Sequence, residues 1–147
     1  MVMQRTLSIL MTSDVLLVTL ATQSWAGLAS GLAAYERHEY QTAIKEFQSL
    51  ADQGDSFAQF MLGYMHAHGE GVSQDYAEAA RWFFQAAHKG NSAAQFNLGV
   101  LYDEGFGVGQ DYAEAARWFR QAADRGNVIA QINMVYLYAK GHGYGMS

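Results

Sequence analysis

Hydrophobic and polar positions follow one rule from Gly27 onward and another before it. Residues 1–26 carry short, nearly continuous apolar runs, Leu7 to Met11 and Val15 to Ala21. Beyond them, apolar residues return every three or four positions between polar ones, the period of a helix with one buried stripe. Tyr76, Ala79, Ala80, Phe83 and Ala87 make one such stripe, and Ala58, Leu62, Met65 and His66 make another just before it. Gly69-Glu70-Gly71 and Gly90-Asn91 punctuate the stripes, glycine accepting the left-handed backbone that ends a helix and Asn91 able to cap the next. Asp75, followed three residues later by Glu78, has the spacing of a capping box and places acid in the first turn, where the helix dipole favours it. The pattern predicts pairs of helices and no strands.

The pair is copied. Shifted by 36 residues, 58–93 matches 94–129 at 23 of 36 positions, and the ten residues from Gln74 to Phe83 return unchanged as Gln110 to Phe119. The same shift carries Tyr40, Ala43, Phe47, Ala51 and Gly54 onto Tyr76, Ala79, Phe83, Ala87 and Gly90, and Ala94, Leu101 and Gly105 onto Ala130, Leu137 and Gly141. Units near 27–57, 58–93, 94–129 and a partial 130–147 follow. Gly63 and Gly99 stand inside the first helices at a cost of about 1 kcal/mol each relative to alanine. Close helix packing must offset that, with Phe83 and Trp82 filling the space between layers. One pair cannot bury such stripes, whereas a stack of pairs can.

The spaced residues Leu62-Gly63, Gly69-x-Gly71-Val72, Asp75-Tyr76-x-x-Ala79, Trp82-Phe83 and Ala86-Ala87-x-x-Gly90 resemble the Sel-one-like repeat (SLR) family, relatives of the tetratricopeptide repeats. The copy from Leu98 to Gly126 matches equally well. Ser73 and Gly109 stand where the family often has proline, and His66 where it usually has tyrosine. The resemblance implies an all-α, right-handed α-solenoid of antiparallel helix pairs, about three 36-residue repeats with an incomplete last unit. It also implies an adaptor role in protein binding.

Composition narrows the chemistry. Alanine (23) outnumbers valine, isoleucine and threonine together (17), proline and cysteine are absent, and the formal net charge is −5. Disulfides, thiol nucleophiles and cysteine zinc sites are excluded, and an acidic chain does not present the basic face of a nucleic-acid binder. The Gly-x-Gly segments, including Gly141-x-Gly143-x-Gly145, follow helices and keep the repeat period, so they read as helix ends and not as phosphate cradles. His66 and His68 are two apart and would point about 200° apart on a helix, which suits no shared metal. His38, His88 and His142 fall near helix ends. Ser49, Ser56, Ser73 and Ser92 lack a nucleophile-elbow context, Asp103-Glu104 closes a helix, and Arg81 and Arg117 sit three residues after Glu78 and Glu114, in pairing distance. No catalytic, cofactor or metal site is expected, and no nucleic-acid partner.

Two expectations remain. Arg5, the apolar runs and Ser24-Trp25-Ala26 have the order of a secretory signal peptide cleaved after Ala26, which predicts a periplasmic or secreted bacterial protein. Asp14 lies inside the apolar stretch, and membrane contact is expected only through this segment if it is kept. Binding is expected on the concave face lined by the first helices, at positions that differ between copies: Met61, Tyr64 and His68; Asn97, Val100 and Glu104; Asn133, Tyr136 and Lys140. Aromatic and methionine side chains beside amides suit a peptide or protein segment. A membrane-anchored structural subunit retaining 6–26 and an accessory to a cell-envelope enzyme are the alternative roles. The final unit, ending before its second helix, is expected to leave Met134, Leu137 and Tyr138 uncovered unless the tail, a partner or a second copy covers them.

Overall fold

A computed structural model describes the backbone of residues 2–142 and the side chains of residues 17–142. Among the described residues there are seven helices and no strand: α1 (Val2–Glu36), α2 (Tyr40–Asp52), α3 (Ser56–His68), α4 (Tyr76–His88), α5 (Ser92–Glu104), α6 (Tyr112–Asp124) and α7 (Val128–Ala139). Each helix packs chiefly on the helices before and after it, with one small additional contact between α3 and α5. The product is a helical solenoid whose core is a series of layers, one per helix pair.

Helix ends are fixed by the residues that repeat. Asp75 Oδ1 accepts from the N–H groups of Ala77 and Glu78 at 2.9 and 3.0 Å, and Asp111 does the same for Ala113 and Glu114 at 3.0 Å each. The reciprocal half of the capping box does not form. The Asp75 N–H donates to His66 O and the Asp111 N–H to Tyr102 O, both at 2.9 Å. Glu78 and Glu114 are thereby released to pair with Arg81 and Arg117 at 2.5 and 2.6 Å. Gly69 and Gly105 close α3 and α5 in the left-handed region at φ +67° and +71°.

Within a pair, the two helices meet where a glycine backbone faces a phenylalanine ring. A Cβ on Gly63 would lie 2.6 Å from the ring of Phe83, and one on Gly99 would lie 2.7 Å from that of Phe119. Both rings are fully buried. Gln59 and Gln95, also buried, donate to Ala51 O and Ala87 O at 3.2 and 3.1 Å. Each ties a first helix to the last turn of the second helix before it.

The outer helices depart from this scheme. A 36-residue shift places Gly27 opposite Phe47, yet Gly31 makes the contact, its Cβ position 2.7 Å from the ring. The link between α1 and α2 is Arg37-His38-Glu39, whereas Gly69 to Asp75 separates α3 from α4. Those four missing residues amount to about one helical turn, so α1 is offset by one turn and the next glycine takes the place. Gly27 itself lies against Leu50. The expected cleavage point after Ala26 falls inside α1, beside this contact. Among the described residues, no helix is long and apolar enough to cross a membrane.

At the other end, Leu137 is buried, Met134 is half-buried against the last layer, and the exposed Tyr138 hydroxyl accepts from Arg120 at 3.0 Å. Of the expected trio Tyr138 alone is uncovered, because Leu137 and Met134 point back into the α6 layer; Val128, Ile129, Ile132, Val135 and Tyr136 are exposed beside it. Val135, 68% exposed, occupies the register of Gly63 and Gly99. A second helix cannot seat on α7 as α4 seats on α3. Gly143, Gly145 and the tail expected to cover this end lie outside the described residues.

Candidate functional site

The first-helix side of the stack carries the predicted binding positions, in three different situations. His68, Glu104, Tyr136 and Lys140 are exposed, and Tyr64, Asn97, Val100 and Asn133 are half-buried. Met61 is a correction: it is 7% exposed and belongs to the first core layer with Leu50, Leu62 and Trp82. Its long side chain fills that layer, while the shorter Asn97 at the same register folds its amide onto Ala93 O at 2.8 Å. Val100 packs against the third layer.

The structure draws the surviving positions into pairs. Tyr64 and His68 stack with ring centroids 4.0 Å apart, and His68 Nδ1 lies 2.8 Å from Tyr64 O, one turn back on the same helix. On α7 the Lys140 ammonium sits 4.3 Å from the Tyr136 ring centroid, a cation–π contact. Interaction with the Tyr136 side chain raises the Lys140 pKa above the ordinary lysine value.

More of the surface is aromatic than the variable positions indicated. Phe57, Phe60, Tyr64 and His68 recur at three- and four-residue spacing on α3, with successive centroids 6.3, 6.3 and 4.0 Å apart. Tyr35 meets Tyr64 edge-on at 6.5 Å and donates to Glu70 Oε2 at 2.8 Å. Burial, reinforced by the neighbouring carboxylate, holds its phenol well above the ordinary tyrosine pKa. Trp25, 76% exposed, joins Leu28, Leu32 and Phe57 around an apolar cavity of about 370 Å³ between α1 and α3. Phe57 and Phe60 carry a readable sequence signal, since they extend the Tyr64–His68 stripe by two turns. Trp25 was hidden because residues up to 26 read as a leader.

Among the described residues no three His, Asp or Glu side chains are grouped to hold a metal. His66, half-buried with its Nδ1 unpartnered, and exposed His68 belong to separate surroundings.

A partly exposed aromatic stripe along a stack of helix pairs defines a helical-repeat scaffold. Comparison with known proteins is in keeping with this. The Sel1 repeat family model matches residues 56–91 and 92–127. Two solved structures are similar: a Sel1 repeat protein from Oxalobacter formigenes and c5321, a protective antigen of uropathogenic Escherichia coli strains with an SLR fold. The first is 33% identical with a TM-score of 0.75, the match covering 78% of this chain and 47% of that one. The second is 38% identical with a TM-score of 0.80, covering 89% of this chain and 29% of that one. The chain thus spans less than half the length of either. No curated protein matches it. The chain belongs to the Sel1-repeat family, whose members generally serve as protein–protein interaction modules.

Proposed function

We propose that the chain is a non-catalytic adaptor that binds a peptide or protein segment along its first-helix face. The observation that carries this reading is the α3 stripe, Phe57, Phe60, Tyr64 and His68, continuous with Trp25, Leu28 and Leu32. Aromatic rings supply contact area at low entropic cost, and Asn97, Asn133 and Glu104 further along the face offer hydrogen bonds that fix a partner's backbone. The test is a crosslinking pull-down comparing the intact chain with Phe57→Ser plus Tyr64→Ala and with Tyr136→Ala. Partner capture should fall at least about tenfold in the α3 pair, the loss of a buried aromatic anchor, with helical content unchanged. Equal capture by all three chains defeats the reading.

The same proposal places the protein outside the bacterial cytoplasm, in the periplasm or beyond, after removal of residues 1–26. Support comes from the leader-like order of Arg5, the apolar runs and Ser24-Trp25-Ala26, and from the E. coli relative being a protective antigen. Cleavage would take Trp25 off the apolar patch. N-terminal sequencing of the exported protein decides between this and an anchored subunit that keeps 6–26. A second reading, self-association through α7, is favoured by its exposed Val128, Ile129, Ile132 and Val135. Light scattering that shows a strict monomer at high concentration removes it.

A further inference from the structure

Away from the first-helix face, one register of the repeat is filled in one unit and empty in the next. Where the turn after α3 lies on α2, Gln41 Nε2 donates to Gly71 O and the Ile44 side chain packs against Gly71. Thirty-six residues on, the positions of Gln41, Ile44 and Gln48 are taken by Ala77, Ala80 and Phe84. Two methyl groups stand in place of a carboxamide and a sec-butyl group. What remains is a groove of about 510 Å³ between α4 and the turn after α5, walled by Ala77, Ala80, Phe84 and Val108 over Leu98 and Tyr102.

Three further observations mark it as built. Phe84, 47% exposed, is an apolar ring at a position that carries glutamine or arginine (Gln48, Arg120) in the neighbouring units. It is held at the rim by His88 and Trp118, with centroids 4.1 and 6.1 Å away. Gly107 seats the turn directly on the backbone of α4: a Cβ there would lie 2.2 Å from the Tyr76 carbonyl carbon, so the turn cannot carry a side chain into the gap. The Gly107 carbonyl, equivalent to the Gly71 carbonyl that Gln41 satisfies, receives no side-chain donor among the described residues. Arg81 at the rim is paired with Glu78 at 2.5 Å, which leaves no excess charge to select an ionic ligand.

We infer that this groove is a second binding site, for a peptide segment presenting an aliphatic side chain of isoleucine size next to an amide N–H. The chain supplies its own template for that occupant: the aliphatic group takes the space Ile44 fills one unit earlier, and the N–H reaches the Gly107 carbonyl as Gln41 reaches that of Gly71. The site shares no residue with the α3 stripe and does not depend on the function proposed above.

The test selects phage-displayed random heptapeptides on the full chain and titrates the enriched peptides by fluorescence anisotropy. Three variants are compared with the wild type: Ala77→Gln plus Ala80→Ile, which restores the filled arrangement, Phe84→Gln, and Tyr64→Ala. The enriched set should include peptides with isoleucine, valine or leucine that lose at least tenfold in affinity on the double variant. These should lose several-fold on Phe84→Gln, an exposed position that leaves the core intact, and stay within twofold on Tyr64→Ala. Circular dichroism confirms that each variant is folded. If no enriched peptide is sensitive to Phe84→Gln or to the double variant, the inference fails, whatever happens with Tyr64→Ala.

Discussion

Between α3 and α4, and again between α5 and α6, a bare glycine backbone meets a buried phenylalanine ring, and a buried glutamine ties each pair to the one before. At α7 the same registers hold Val135, exposed, and Gln131, whose amide reaches Ala123 O at the surface, 3.4 Å away. What the repeat conserves is therefore an interface and not a helix. Where that interface is missing, the residues that served it are free to change. Every consequence tested below contrasts an interior position with its counterpart at an end.

The widest contrast is steric. Gly99→Val would drive two methyl groups into the Phe119 ring, already 2.7 Å from the Cβ position. Overpacking of this kind costs about 3 kcal/mol. The reverse change at the end, Val135→Gly, removes an exposed side chain and should cost only the difference in helix propensity, about 0.5 kcal/mol. Urea denaturation followed by circular dichroism measures both. Equal losses would mean that the glycine–phenylalanine contact does not hold the two helices of a pair together.

Next in size is the buried amide. Gln95→Leu removes one of the two donors to the Ala87 carbonyl, which keeps the Gly90 N–H at 2.9 Å, so the loss is that of one buried hydrogen bond, about 1.5 kcal/mol. Gln131→Leu makes the same chemical change where water replaces the partner, and the midpoint should barely move. Smaller again is the cap. Asp111→Ala loses two N–H acceptances at α6, worth about 1 kcal/mol. Glu39→Ala at the start of α2 removes no cap, because Glu39 makes no side-chain cap bond. It loses only an exposed pairing with Arg37.

The sequence announced the helices, their caps and the Glu78–Arg81 pairing because each is set by residues a few positions apart and is written twice. Packing across pairs was less legible. Met61 varies between copies and so looked like a contact residue, but it varies because the first layer has a gap that methionine fills and the second does not. Gly31 was missed because the repeat shift counts residues, whereas the contact depends on the length of the link between α1 and α2. The groove beside Phe84 was hidden for the opposite reason. Alanine at 77 and 80 looks like ordinary helix filling, and only the neighbouring unit shows what is missing there.

That short link carries the smallest predicted effect. Within the described residues, His38 is the only non-glycine at positive φ, +60°, while the interior links place Gly69 and Gly105 in the same left-handed region. A side chain there costs about 1 to 2 kcal/mol. His38→Gly relieves this strain, but it also loosens the unfolded chain, which takes back about half of the gain. The exposed contact between His38 Nδ1 and the Tyr40 hydroxyl, 2.9 Å, is given up as well. The balance is a stabilisation of about 0.5 kcal/mol, read as a rise in melting temperature. Gly69→Ala is the mirror change, imposing on an interior link the strain that His38 carries at the end, and should cost about 1 kcal/mol or more. If His38→Gly instead lowers the melting temperature, the His38–Tyr40 contact outweighs the backbone strain, and α1 is fastened to the stack by a side chain where the interior pairs rely on glycine.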